Sequence, residues 1–191
     1  MITAVDPEPI LKVACVEPEG VVMREVRFMP LSVGNLWTLW ERARQFDTLF
    51  GEEINSDFKK FLEVVMRVGP EGIEPTGLFW VVDDFVGMFY MTHIIPGEQA
   101  DAHYSFFDRR HKGRLRLVKE MLKYAFRHYE FVRINVWIPV YATEQAFKFV
   151  SELGFKDEGK KRKAARYKGK HFDVVLFGLL REEALNEPEN S

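Results

Sequence analysis

With 191 residues, 47% of them apolar, and 17 Phe and 4 Trp, the chain can build one domain with a substantial core and is not disordered by composition. A formal charge of −2 argues against a protein devoted to nucleic acid, and nucleic-acid partners are not expected, although stretches 109–119 and 156–170 are basic. The one cysteine, Cys15, cannot close an intrachain disulfide, and Asp6, Pro7, Glu8 and Pro9 interrupt any apolar leader, so a cytoplasmic home is expected.

Residues 1–20 carry Asp6-Pro7, Glu8-Pro9 and Glu17-Pro18 and predict an irregular arm with a short extended piece over 10–16. A single domain is expected over 21–181. It opens with a strand over 21–29, followed by a helix capped by Ser32 with an apolar stripe of Leu36, Trp37, Trp40 and Ala43. A second helix starts near Asn55 and Ser56 and buries Phe58, Phe61, Leu62, Val65 and Met66; the Gly- and Pro-rich stretch 69–77 reads as a loop. The longest apolar stretch, 78–91, is split by Asp83-Asp84, which makes it two strands and a turn rather than a membrane span. A third strand runs over 99–107.

From Gly113 a helix presents Leu115, Val118, Leu122, Ala125, Phe126 and Tyr129 on one face. A strand over 131–138 leads through Pro139, Val140, Tyr141 and Ala142 into a helix over 143–153. The chain then forms a long hairpin with its turn at 167–170 and its last strand over 173–181. Residues 182–191 are acidic and read as a frayed tail.

The chemically suggestive part is the order strand, basic turn with one glycine, amphipathic helix. Arg109, Arg110, Lys112, Arg114 and Arg116 crowd the start of the helix, where each cation costs about 0.3–1 kcal/mol unless an anion compensates. Free backbone N–H groups at the same place favour a phosphate. A phosphorylated ligand is therefore expected, although no Gly-rich dinucleotide or nucleoside-triphosphate motif is present.

This arrangement resembles the GNAT superfamily of acyl-coenzyme A-dependent N-acetyltransferases. That family's phosphate turn (Gln or Arg, two residues, Gly, one residue, Gly or Ala) is matched from Arg110 through Gly113 and Arg114, and departs at Leu115. Its last helix opens with Asn, has Ala three positions on and closes in Leu-Gly-Phe; here those positions are Thr143, Ala146 and Leu153-Gly154-Phe155. The spacing of Gly154-Phe155 to Glu158-Gly159 and the closing strand look most like the branch that acetylates protein N-termini, ribosomal-protein alanines in particular. The resemblance implies an α/β (α+β) fold: a central, mostly antiparallel mixed sheet, splayed between two parallel strands and flanked by helices. It also implies acetyl-coenzyme A as cofactor and direct transfer of acetyl to an amine acceptor. That acceptor is a protein N-terminus, a polyamine, an aminoglycoside-like molecule or a lysine; a homodimer is left open. By the same resemblance the cofactor meets Ser105, Phe106 and Phe107 on the strand, Arg110, His111, Lys112, Gly113, Arg114 and Leu115 at the turn, and Thr143, which is also placed to cap its helix.

Acetyl transfer to an amine needs the amine neutral, a donor for the developing oxyanion and a proton for the departing thiolate. Alternation puts Asp101, His103 and Ser105 on one face of their strand. His103, with an ordinary pKa of about 6.5, is the candidate base, against the plainer reading of a half-buried strand histidine. Asp101 is the candidate to orient it or to hold the amine. The family's usual acid position is Val150, so Tyr141 is the substitute candidate, against a plainer packing role. His93, His111, His128 and His171 lack the paired spacings of a metal site, and no metal is expected. The rival reading is a non-catalytic GNAT-like interaction module, to which Leu115 and Val150 point.

Overall fold

The computed structural model describes residues 9–17, 20–46, 52–69, 72–107 and 113–186. An eight-stranded sheet in the order β1-β2-β5-β6-β7-β8-β10-β9 forms the centre. Its strands are β1 (Leu11–Glu17), β2 (Gly20–Phe28), β5 (Gly77–Val82), β6 (Gly87–Ile95), β7 (Gln99–Phe106), β8 (Arg133–Pro139), β9 (Lys156–Tyr167) and β10 (Lys170–Leu180). Every neighbouring pair is antiparallel except β7 and β8, which run parallel. Helices α4 (Arg114–His128), α5 (Glu144–Glu152) and α6 (Arg181–Leu185) pack their buried residues on one face, while α1 (Val33–Ala43) and α3 (Phe58–Val65) pack theirs on the other.

The apolar run of β5 and β6 is continuous because both faces of these strands are covered. Alternation sends Trp80, Val82, Phe89 and Met91 to the α4 side, and Phe79, Val81, Met88 and Tyr90 to the side of α1 and α3. Ser32 caps α1 as expected, its hydroxyl accepting from the Asn35 N–H at 3.1 Å. The buried stripe of α1 is Leu36, Leu39, Trp40 and Ala43; Trp37 is half exposed and packs against Phe58 and Trp40 instead. On α4 the buried residues are Leu117, Val118, Met121, Leu122, Ala125 and Phe126, with Leu115 half-buried against the same core.

Four expectations need correction. The extended piece of the N-terminal arm is an edge strand, β1, whose Val13 and Cys15 are buried and which packs against α4. The stretch expected as a loop holds a hairpin of β3 (Met66–Gly69) and β4 (Gly72–Pro75), and Met66 belongs to that strand rather than to the helix. What was expected to be helix near Asn55 is split into α2 (Glu52–Asn55) and α3, because Asp57 accepts from the Lys59 N–H and restarts the helix. The expected tail begins with α6, which buries Ala184. No helix of the described residues is long and apolar enough to cross a membrane.

Candidate active site

The parallel pair β7/β8 is joined over three rungs only: Gln99–Arg133, Ala100–Ile134 and Asp101–Asn135. Beyond them β7 stays paired with β6 as far as Phe106, and β8 stays paired with β10 as far as Pro139. Each strand thus keeps its outer partner while the two part, and a crevice opens with its vertex at Asp101 and Asn135.

Side chains pin that vertex. Asn135, buried, donates from Nδ2 to Asp101 Oδ1 at 3.1 Å and accepts from Arg133 Nε at 2.8 Å. The Arg133 guanidinium goes on to an ion pair with Glu158 on β9. The pair crosses β10 at Gly178, where a Cβ would lie 2.3 Å from Glu158 Oε1 and 2.8 Å from Arg133 Nη2. The second oxygen of Asp101 is held by His93 Nδ1 at 3.0 Å, from a residue whose φ of 48° sits at an irregularity of β6. Asp101 makes no hydrogen bond to His103, so the expected orienting role is not what the geometry provides.

His103 is the first residue beyond the vertex on that face. Its ring stacks on Tyr90 at 4.2 Å and 8°, and Tyr90 stacks on Phe79 at 5.6 Å and 9°, so three cross-strand neighbours form one aromatic column. Nε2 lies 3.2 Å from Thr92 Oγ1. Burial pushes the imidazole pKa down to about 4, with Asp101 opposing the shift. The expected basicity near 6.5 is therefore not retained: His103 is a neutral acceptor through the neutral range, and a weak base.

On the opposite face Tyr104 meets Phe149 of α5 at 5.4 Å, and Phe106 packs edge-on to Phe89 with the Arg114 guanidinium 5.9 Å above its ring. Ser105 pairs with Met88, and the Phe107 N–H donates to Val86 O at 2.9 Å, its ring 5.9 Å from Phe46. Arg110, His111 and Lys112, predicted at the turn, lie outside the described residues.

Gly113 caps α4 with a φ of 78°, and a Cβ on it would meet the Cys15 Cβ at 2.7 Å. A glycine is needed twice over, for the left-handed backbone and for the approach of β1. Leu115 is half-buried and packs against the same core as Val118. Thr143 occupies the N-cap position of α5, but its hydroxyl makes no capping bond and the residue is exposed. Tyr141 is held by rings, stacked on Tyr167 at 4.6 Å and edge-on to Phe172 at 5.1 Å; burial, then Tyr167, raises its pKa. Val150 is buried in the core.

Two features test whether this frame suits an acyl carrier with a diphosphate. Among the described residues the first turn of α4 has no side-chain cap and no acidic residue, yet carries Arg114 and Arg116, an arrangement that an anion completes. On β8, two residues beyond the vertex, the Trp137 indole N–H is buried without a partner, while the Lys161 ammonium sits 5.4 Å over the ring. An unpaired buried donor costs about 1–3 kcal/mol, which a carbonyl of a bound ligand would recover. The residues fit the group.

The family model described as Acetyltransferase (GNAT) domain matches residues 43–176. The chain belongs to the GNAT acetyltransferase family. It is an acetyl-coenzyme A-dependent N-acetyltransferase. Among solved structures, the spermidine N-acetyltransferase from Vibrio cholerae in complex with CoA and spermine is similar in fold, with a TM-score of 0.66 and 20% identity over 84% of this chain and 98% of its own. A chimera of that enzyme with hSSAT gives 0.67 and 19% over 85% and 99%. The ribosomal-protein-S5-alanine acetyltransferase from Vibrio fischeri gives 0.59 and 18% over 84% and 94%. None of the curated proteins matches the chain in sequence.

Sequence reasoning left His93 as a bland residue and did not single out Asn135, Trp137 or Thr92. Asn135 had a signal, a polar residue in the middle of the apolar strand Ile134-Asn135-Val136-Trp137-Ile138. His93 had none, since its place depends on an irregularity of β6.

Proposed function

We propose that this acetyltransferase acts on a primary amine, on a small molecule or at a protein N-terminus, that meets the acetyl group beside His103. The observation that carries this reading is the end of the β7/β8 ladder at Asp101 and Asn135, with His103 next along the strand and the uncapped start of α4 beyond. When bound, acetyl-coenzyme A supplies an acetyl thioester. Gly113, Arg114 and Leu115, with Arg110, His111 and Lys112 of the same turn, would hold its phosphates; Ser105, Phe106, Phe107 and Thr143 would line its arm.

His103, kept neutral by burial, accepts a hydrogen bond from the amine that has left its proton in water and so aims the nitrogen at the acetyl carbon. The Trp137 N–H is available to a ligand carbonyl. Tyr141, whose pKa is raised, stays a protonated donor at neutral pH and is our candidate to protonate the thiolate. Sequence likeness to the branch acting on ribosomal-protein alanines supports a protein N-terminus; the fold shared with the Vibrio cholerae spermidine enzyme supports a small amine. We place the protein in the cytoplasm on the strength of its single, buried cysteine.

The test is thiol release from acetyl-coenzyme A with a panel of peptides and small amines, in the wild type and in His103→Gln. Release with at least one amine, reduced in the variant, is expected. A blank across the whole panel sinks the reading.

A further inference from the structure

A groove of about 720 Å³, within the range of small-molecule sites, lies between α3, the β3–β4 hairpin and strands β5 to β7. Its apolar lining comes from Val64, Pro75, Leu78 and Ile94, the last two also packed against the core on the α4 side. At one end the groove is polar and closes on Thr92, His93 and His103. Because His103 is also the first residue past the vertex of the crevice on that face, groove and crevice meet at that imidazole.

The charges around the groove matter most. Among the described residues no carboxylate lines it; the charged lining residue is Arg67, ion-paired with Glu74 at 2.8 Å. Asp101, bonded to the lining residue His93, has one oxygen on Asn135 and the other on that imidazole. Glu158 is occupied by Arg133. A polyamine brings several ammonium groups, and Asp101 at the polar end could meet at most one of them; each of the others would be desolvated along the groove beside no carboxylate of the described lining. An amine on an apolar body brings one. The same apolar lining that accepts the body lowers the pKa of that ammonium and favours the neutral form that attacks.

We propose that the acceptor is a primary amine carried on an apolar body, seated in this groove with its nitrogen at His103, and that polycations are poor substrates. The proposal rests on the acetyl-transfer reading for its chemistry and adds the substrate class. It separates this chain from the spermidine enzymes whose fold it shares.

The experiment compares 2-phenylethylamine with spermidine as acceptors, using the full chain and acetyl-coenzyme A, and measures 2-phenylethylamine binding separately by calorimetry. A kcat/KM at least about tenfold higher for 2-phenylethylamine is expected, the scale of discrimination an apolar pocket gives. Val64 is 44% exposed, so Val64→Glu places a carboxylate on the wall without emptying the core. This variant should weaken 2-phenylethylamine binding about tenfold and narrow or reverse the preference. Unfolding midpoints of the two proteins check that the change is local. Equal or better use of spermidine by the wild type overturns the proposal, as does 2-phenylethylamine binding that Val64→Glu leaves untouched or that does not occur at all. Binding that Val64→Glu removes, with no acetyl transfer to either amine, upholds the ligand class of the groove and sinks the acetyl-transfer reading instead.

Discussion

Where β7 meets β8 at Asp101 and Asn135, the strands share ladder bonds, a side-chain bond and a chain of charges that reaches Glu158 two strands away. Three residues further along, at Tyr104, β7 has lost β8, and its side chain faces Phe149 of a helix instead. The tied end and the parted end are made from one pair of strands. At the tied end Asp101, Asn135, Arg133 and Glu158 are partnered to one another; at the parted end the Trp137 N–H is unpaired, and the start of α4 has no side-chain cap among the described residues. Buried polar groups are normally satisfied, so the contrast marks which end is structure and which waits for a ligand.

The largest effect should come from the parted end. Gly113→Ala combines a left-handed φ with a 2.7 Å approach to Cys15, and about 3 kcal/mol of stability should be lost, read from urea unfolding. Retained stability would mean that β1 can move away, and that the turn is not fixed by the arm. At the tied end, Asn135→Ala leaves a half-buried oxygen of Asp101 without its donor. A loss of about 2 kcal/mol is expected, with little change in coenzyme A affinity measured by calorimetry. A large loss of affinity would dissolve the distinction between the two ends.

His103 sits between them and gives a pH test. Its folded pKa of about 4 lies below the ordinary 6.5, so as pH falls through that window the unfolded chain takes up a proton that the folded chain refuses. Stability is lost across that range and no further below it. Between pH 7 and pH 5 the wild type should lose about 2 kcal/mol more than His103→Gln in paired unfolding curves. For the same reason the pH profile of kcat/KM should show no limb near 6.5. The smallest effect is expected from Trp137→Phe, which removes an unpaired donor. Stability should be unchanged or higher by up to about 1 kcal/mol, while acetyl-coenzyme A binding weakens severalfold if the indole serves the ligand.

Much of the fold was legible because its signals are local. The Ser32 cap, the Asp83-Asp84 turn, the Lys168-Gly169 turn with its two left-handed residues and the apolar face of α4 each depend on neighbours a few positions away. The β3–β4 hairpin was read as a loop because Gly69, Gly72, Pro75 and Gly77 look like breakers, and only cross-strand pairing makes strands of them. Of the site, alternation correctly placed Asp101, His103 and Ser105 on one face, and left Asp101 to orient His103 or to hold the amine. The actual partners of Asp101, Asn135 and His93, come from a strand 34 residues away and from an irregularity of β6.

By themselves, the residues determined most of the order of strands and helices, a basic helix start preceded by glycine, and an imidazole on the strand leading to it, since periodicity and turn chemistry act over a few residues; the mixed, splayed sheet was what the family resemblance implied. Only the tertiary structure decided where β7 and β8 part, which carboxylates are already engaged, how far burial lowers the His103 pKa and that an apolar groove ends at that ring. Each of these depends on groups brought together from distant parts of the chain, and on the loss of water around them.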